Sequence, residues 1–209
     1  LGKTTIPPGP YTMADYAADA AALLDHVGWA HCSVVGISFG GMVAQELAVT
    51  WPDRIERLAL LCTSPGGAGG PSYPLHELGD LPAAEQAAIG LAILDTRFTP
   101  EWLASHPSDQ ALVEMMVARR SQPDDPERAR GKAEQLGARA HHDVWDRLDR
   151  ISCPTLVVGG RYDGIAPPAN SEAIASRIAG AELRFYEGGH AFLAQDPTAF
   201  PDVLEFLTG

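Results

Sequence analysis

Gly36-Ile37-Ser38-Phe39-Gly40 restricts this chain more than any other feature, because it joins two segments of opposite character. Before it, Cys32 to Ile37 is an apolar run with β-branched residues and no polar alternation, which predicts a strand buried on both faces. After it, Met42 to Ala48 is a good helix former halted at Trp51-Pro52, and Leu58 to Cys62 is a second apolar run. Strand, helix and strand in that order make a βαβ unit, which implies a parallel sheet. Upstream, Thr12 opens a helix whose apolar face is expected to carry Tyr16, Ala20, Leu23, Leu24 and Val27, with Gly28 as its stop.

The layer pattern breaks where Thr63 to Pro74 turns rich in Gly, Pro and Ser, and it returns at Pro154 to Gly159. Between these points lie helical pieces at Ala83 to Leu94, Gln110 to Arg120 and Glu127 to Arg139, with no convincing strand. A helix around Ser171 to Ile178, a strand at Leu183 to Tyr186 and a closing helix after Pro197 complete the alternation. The expected architecture is therefore α/β: a mostly parallel sheet with flanking helices, built from residues 1–74 and 151–209, with residues 75–150 inserted between two strands as a helical cap.

The G-x-S-x-G spacing gains meaning from its place between strand and helix. A tight turn there forces the serine into a strained backbone conformation that lifts Oγ above the sheet, and glycines are expected on both sides because side chains would collide with neighbouring elements. Ser38 is thus the candidate nucleophile, and the amide of Phe39, free at a helix N-terminus, is a candidate oxyanion donor. The Phe39 side chain is expected against substrate. A serine hydroxyl needs a base, and of seven histidines His190 has the right position, in Glu187-Gly188-Gly189-His190 directly after the last strand. His26 and His31 flank the first strand and read as surface residues. The imidazole needs a carboxylate to hold its tautomer; Asp163 follows the strand ending at Gly159, whereas Thr63-Ser64-Pro65-Gly66-Gly67 after the preceding strand contains no acid. The chain order Ser, Asp, His results.

Charge narrows the partners. With a formal net charge of −12 and no basic cluster, the surface repels phosphate backbones and anionic lipid, so neither nucleic acid nor membrane is an expected partner. No apolar stretch is long enough to span a bilayer, and Leu1-Gly2-Lys3 has no signal-peptide organisation, so a cytoplasmic location is expected. Cys32, Cys62 and Cys153 are odd in number and lack metal-ligand spacing; they read as reduced core residues. His141-His142 is a poor chelate, since adjacent helical residues point apart, and no metal site is expected. Trp102, Met115, Met116 and Trp145 are candidates to line an acyl pocket in the cap.

Three segments in order, Val35 to Ala44, Pro154 to Asp163 and Gly188-Gly189-His190, resemble the α/β-hydrolase superfamily, in particular its short-capped esterase and lactonase branch. That resemblance implies hydrolysis of a small carboxylic ester or lactone through an acyl-enzyme, without metal or organic cofactor, with the inserted segment shaping the acyl or alcohol pocket. It includes enol-lactonases, carboxylesterases and cofactor-free haloperoxidases, so carbon–carbon bond hydrolysis and perhydrolysis by the same residues stand as alternatives, and a non-catalytic ligand binder as one of another class. The family carries further strands ahead of the nucleophile strand and a His-Gly loop that supplies a second oxyanion donor. Gly2-Lys3-Thr4-Thr5 resembles the loop after the last of those strands, so the chain reads as beginning part-way into the fold, without that donor. The oligomeric state is left open.

Overall fold

The computed structural model describes residues 4–120 and 125–209. Four strands, β1 (Cys32–Ile37), β2 (Ile55–Leu61), β3 (Thr155–Gly160) and β4 (Glu182–Tyr186), form one sheet in the order β1-β2-β3-β4, with every neighbouring pair parallel. Helices α1 (Met13–His26) and α2 (Phe39–Thr50) precede and follow β1. Between β2 and β3 run α3 (Ala83–Leu94), α4 (Pro100–Ser105), α5 (Pro107–Arg120) and α6 (Pro126–Ala140). After β3 come α7 (Pro168–Arg177), α8 (Phe192–Gln195) and α9 (Ala199–Thr208). The α/β class and the parallel sheet read from the sequence are the ones observed.

Successive residues of a strand point to opposite faces, and β2 shows this directly. Leu58 and Leu60 enter a core with Ala17, Leu47, Val157 and Ile174 from α1, α2, β3 and α7. Ala59 and Leu61 enter a second core with Leu156, Val158, Phe192 and Val203, beneath α8 and α9. Central strands covered on both sides have no polar alternation to show, and full burial of each Leu or Val contributes about 1.5–3 kcal/mol.

β1 departs from the expectation of burial on both faces. It lies at the edge of the sheet, and Ser33, Val35 and Ile37 are exposed along one face. Helices α8 and α9 stand over β2 and β3, so among the described residues nothing comparable covers the outer face of β1. A second correction concerns α1. Thr12 caps it in a reciprocal box with Asp15, and Gly28 follows in a left-handed conformation. The buried stripe, however, is Met13, Ala17, Ala21 and Leu24, while Leu23 and Val27 face solvent. The small alanines let α1 approach α2 closely, and the helix turns toward that contact rather than toward its largest apolar side chains.

Among the described residues no helix is long and apolar enough to cross a membrane. Cys62 is buried, whereas Cys32 and Cys153 are only partly covered.

Candidate active site

Ser38 directly follows β1 and is the N-cap of α2. Its amide donates to Leu61 O at 2.8 Å, which ties the turn to β2, and its backbone sits at φ 53°, ψ −116°. L-residues rarely adopt this conformation, and at a strand-to-helix turn it lifts the hydroxyl off the sheet. A Cβ on Gly36 would lie 2.6 Å from Gly41 Cα and 2.7 Å from Ala44 Cβ, so Gly36 is sterically required. Gly40 is not: a Cβ there meets nothing within 4 Å. The second required glycine is Gly41, whose Cβ would fall 2.5 Å from Thr63 Cβ. Thr63 reaches back to the turn, its Oγ1 donating to Ser38 O at 2.9 Å, and the fully buried Gln45 amide donates to Thr63 Oγ1 and to Ser64 O.

His190 and Asp163 converge on this serine. His190 Nε2 lies 2.8 Å from Ser38 Oγ, and Nδ1 lies 2.8 Å from Asp163 Oδ2. Asp163 is almost fully buried at the end of β3; its second oxygen accepts the amides of Ile165 (2.8 Å) and Ala166 (2.9 Å), which fixes the carboxylate plane. With the carboxylate accepting from Nδ1–H, Nε2 carries the lone pair that faces the serine hydroxyl. The two glycines ahead of His190 have separate reasons. Gly188 sits at φ 122°, and a Cβ on Gly189 would strike Leu94 O at 2.1 Å.

That last contact belongs to a clasp which the sequence does not announce. The end of α3 lies across both loops: His190 N donates to Leu94 O (2.6 Å), Gly164 N to Ile93 O (3.0 Å) and Thr96 N to Tyr162 O (2.9 Å). Gln195 on α8 accepts the Gly189 amide and donates to Asp95 and Asp109. Asp95, fully buried, holds Arg97 through a two-oxygen ion pair, and Arg97 stacks over Tyr162 beside Asp163. Arg97 draws the Asp95 carboxyl below its ordinary pKa against the opposing effect of burial.

Phe39 opens α2, so its amide has no acceptor within the helix. Its side chain packs edge-on against Tyr16, with ring centroids 5.1 Å apart. The four expected pocket residues are not gathered at Ser38. Trp102 bonds Asp109 and stacks on His106 and Arg97, and Met115 is exposed on α5 while Met116 is half-buried there. Trp145 packs on the α2 and α7 core, under Arg177 and against Gly69.

Cys62, at the end of β2, is a neighbour that sequence spacing missed; its Sγ and the ligand atoms of Asp163 and His190 all lie within 4.8 Å of one another. Burial, and then the Asp163 charge, push its thiol well above the usual range, so it stands as a neutral thiol beside the carboxylate. A protonated thiol is a poor metal ligand, and Asp163 and His190 already engage each other. His141 and His142 diverge, the first bonding Gly137 O in its own helix and the second Ser64 O.

A parallel sheet that carries a hydrogen-bonded line of Ser38, His190 and Asp163 at the carboxyl ends of β1, β3 and β4 defines a class, the α/β proteins with a Ser-His-Asp chain over the sheet edge. Residues 1–197 match the family described as "alpha/beta hydrolase fold", and the chain belongs to that family. It is 30% identical to 3-oxoadipate enol-lactonase 2 of Acinetobacter baylyi, over 98% of this chain and 73% of that one. It is 28% identical to a poly(3-hydroxyalkanoate) depolymerase of Ectopseudomonas oleovorans, over 99% of this chain and 71% of that one. A crystal structure of a hydrolase from Pseudomonas aeruginosa superimposes with a TM-score of 0.80 at 33% identity, covering all of this chain and 76% of that one.

Proposed function

We propose that this chain is a serine hydrolase cleaving a small carboxylic ester or lactone through an acyl-enzyme. The observation that carries the reading is the unbroken line from Ser38 Oγ through His190 to Asp163, with both hydrogen bonds at 2.8 Å. Ser38 Oγ attacks the carbonyl carbon while its proton passes to His190 Nε2, and the imidazolium that forms is held by Asp163. The tetrahedral oxyanion lies toward the N-terminus of α2, where the Phe39 amide donates to it; one such donor accounts for about 10²–10³ in rate. Collapse of the intermediate breaks the carbon–oxygen bond, and Nε2–H protonates the leaving alkoxide. Water, deprotonated by the same nitrogen, then attacks the acyl-enzyme and releases the acid.

The ester or lactone class is supported by two relatives, one named as an enol-lactonase and the other as a poly(3-hydroxyalkanoate) depolymerase. In this reading residues 75–150 act as a cap over the sheet edge, and the clasp at residues 93–97 joins that cap to the His190 and Asp163 loops.

A fluorophosphonate probe tests the reading. Wild-type protein becomes labelled, Ser38→Ala does not, and a panel of short esters, lactones and ring-cleavage diketones shows turnover of the first two classes. Absence of labelling overturns the nucleophile and leaves a ligand-binding member of the fold. Turnover confined to the diketones overturns the substrate class.

A further inference from the structure

The Phe39 amide is one end of a peptide plane whose other end is the Ser38 carbonyl. A trans peptide points its C=O and the following N–H in opposite directions, so the two groups turn together about the Ser38 ψ angle. That angle is −116°, with φ at 53°, well away from the helical region and from any conformation an L-residue prefers. Such a backbone persists only where its surroundings over-determine it. Ser38 O accepts from Gly41 N at 2.9 Å and from Met42 N at 3.3 Å, but both donors belong to α2 and move with it. A further donor comes from outside the helix: Thr63 Oγ1, in the loop that leaves β2, lies 2.9 Å from Ser38 O.

The direction of this bond follows from its partners. A hydroxyl has one proton, and Thr63 Oγ1 meets a carbonyl, which only accepts, and the Gln45 Nε2 amide at 3.4 Å, which only donates. The same end of Gln45 faces Gly41 O and Ser64 O, both at 3.1 Å, and two carbonyls around it identify that end as the NH2. The Thr63 proton is therefore on the Ser38 carbonyl. Thr63 and Gln45 are almost fully buried, so no solvent molecule replaces either one. In such surroundings each hydrogen bond polarises the next, and a carbonyl drawn on by a hydroxyl leaves the N–H at the other end of its peptide a better donor. The bare Gly41 makes the approach possible, since a Cβ there would fall 2.7 Å from Thr63 Oγ1.

We propose that Thr63 is a positioning residue for the oxyanion donor: its hydroxyl, backed by Gln45, ties the Ser38–Phe39 peptide plane to the loop after β2 and so aims the Phe39 amide at the developing charge. The proposal rests on the serine-hydrolase reading of Ser38 and adds to it a residue that acts through the main chain of the turn.

Hydrolysis of 4-nitrophenyl acetate, and inhibition by a methyl trifluoromethyl ketone whose adduct with Ser38 carries the oxyanion, test this. Thr63→Val keeps the branched shape and removes the donor. Its kcat is expected to fall about tenfold with KM little changed, and the inhibition constant of the ketone to rise by a similar factor. Thr63→Ser keeps the hydroxyl and is expected to recover most of both losses. If Thr63→Val does not fold, as read by circular dichroism, Thr63→Ala supplies the comparison without a hydroxyl. The proposal is overturned if a folded variant lacking the hydroxyl matches wild type in kcat and ketone affinity, if Thr63→Ser is as impaired as that variant, or if KM rises while kcat holds. Fluorophosphonate labelling separates the two levels. A labelled wild type whose Thr63 variants equal it overturns the role of Thr63 alone, whereas an unlabelled wild type overturns the reading of Ser38 and the role of Thr63 with it.

Discussion

One methyl group separates Gly40 from Gly41. At position 40 it enters open space, and at position 41 it meets the Thr63 side chain, which is short, β-branched and bonded to Ser38 O. Gly40→Ala is expected to leave stability unchanged or raise it by up to about 1 kcal/mol through helix propensity. Gly41→Ala is expected to cost about 1–3 kcal/mol as an overpacked contact. Urea midpoints of the two variants check the contrast. The five-residue pattern placed Ser38 at the turn between β1 and α2 because strand, turn and helix are all local in sequence. It misplaced the second tight glycine because the colliding partner arrives from the next strand, which spacing does not encode. Asp163 is a further test at this scale. In Asp163→Asn the oxygen stays with the Ile165 and Ala166 amides, so the NH2 faces His190 and forces the ring proton onto Nε2. Ester turnover by a wild type that is active should fall by about 10⁴ with the fold intact, as measured by kcat alongside circular dichroism.

At the scale of elements, the clasp between the end of α3 and the two loops is the feature that sequence reading passed over. Ala83 to Leu94 was legible as a helix to the residue, since its Ala, Leu, Glu and Gln content outweighs the single Gly90. Its tertiary role was not, because the bonds from His190 N and Gly164 N go to main-chain oxygens, which no side-chain pattern reports. A side-chain link that crosses the clasp is Gln195, joined to Gly189 and to Asp95. Gln195→Leu is expected to lower kcat about 10- to 100-fold with KM little changed, because the His190 loop loosens while the substrate contacts remain. A proportional rise in KM alone would assign Gln195 to substrate binding instead. The misread face of α1 has a related origin: a stripe chosen by apolar size ranks Leu23 above Ala17 and Ala21, whereas close helix contact favours the small residues.

For the whole molecule, the loss of stability in mildly acidic solution, above the range where the lowered carboxyls of Asp15, Asp95 and Asp196 titrate, is carried by the buried His142. His142 titrates at about 4 when folded and near 6.5 when unfolded, so between those values the unfolded chain holds more protons and stability falls as pH falls. The full effect is about 3 kcal/mol, gained above pH 6.5 and lost by pH 4. His142→Gln should flatten this limb, which denaturant unfolding at pH 7.5 and 5 would reveal. The sheet frame was readable because Leu58 to Leu61 in β2 and Leu156 to Val158 in β3 are unbroken apolar runs, and β1 was misjudged because its composition is that of a covered strand while its position is at the edge. Two non-glycine residues among those described have positive φ, Ser38 at 53° and Cys62 at 41°, and they end neighbouring strands. Each such conformation holds about 1–3 kcal/mol of strain. Ser38→Gly should therefore melt a few degrees higher than wild type while losing its hydroxyl. Under the proposed function, attempts to make this molecule more heat-resistant have an easy gain at a corner of the sheet where it must not be taken, and selection for robustness alone would relax the turn and blunt the chemistry proposed for it.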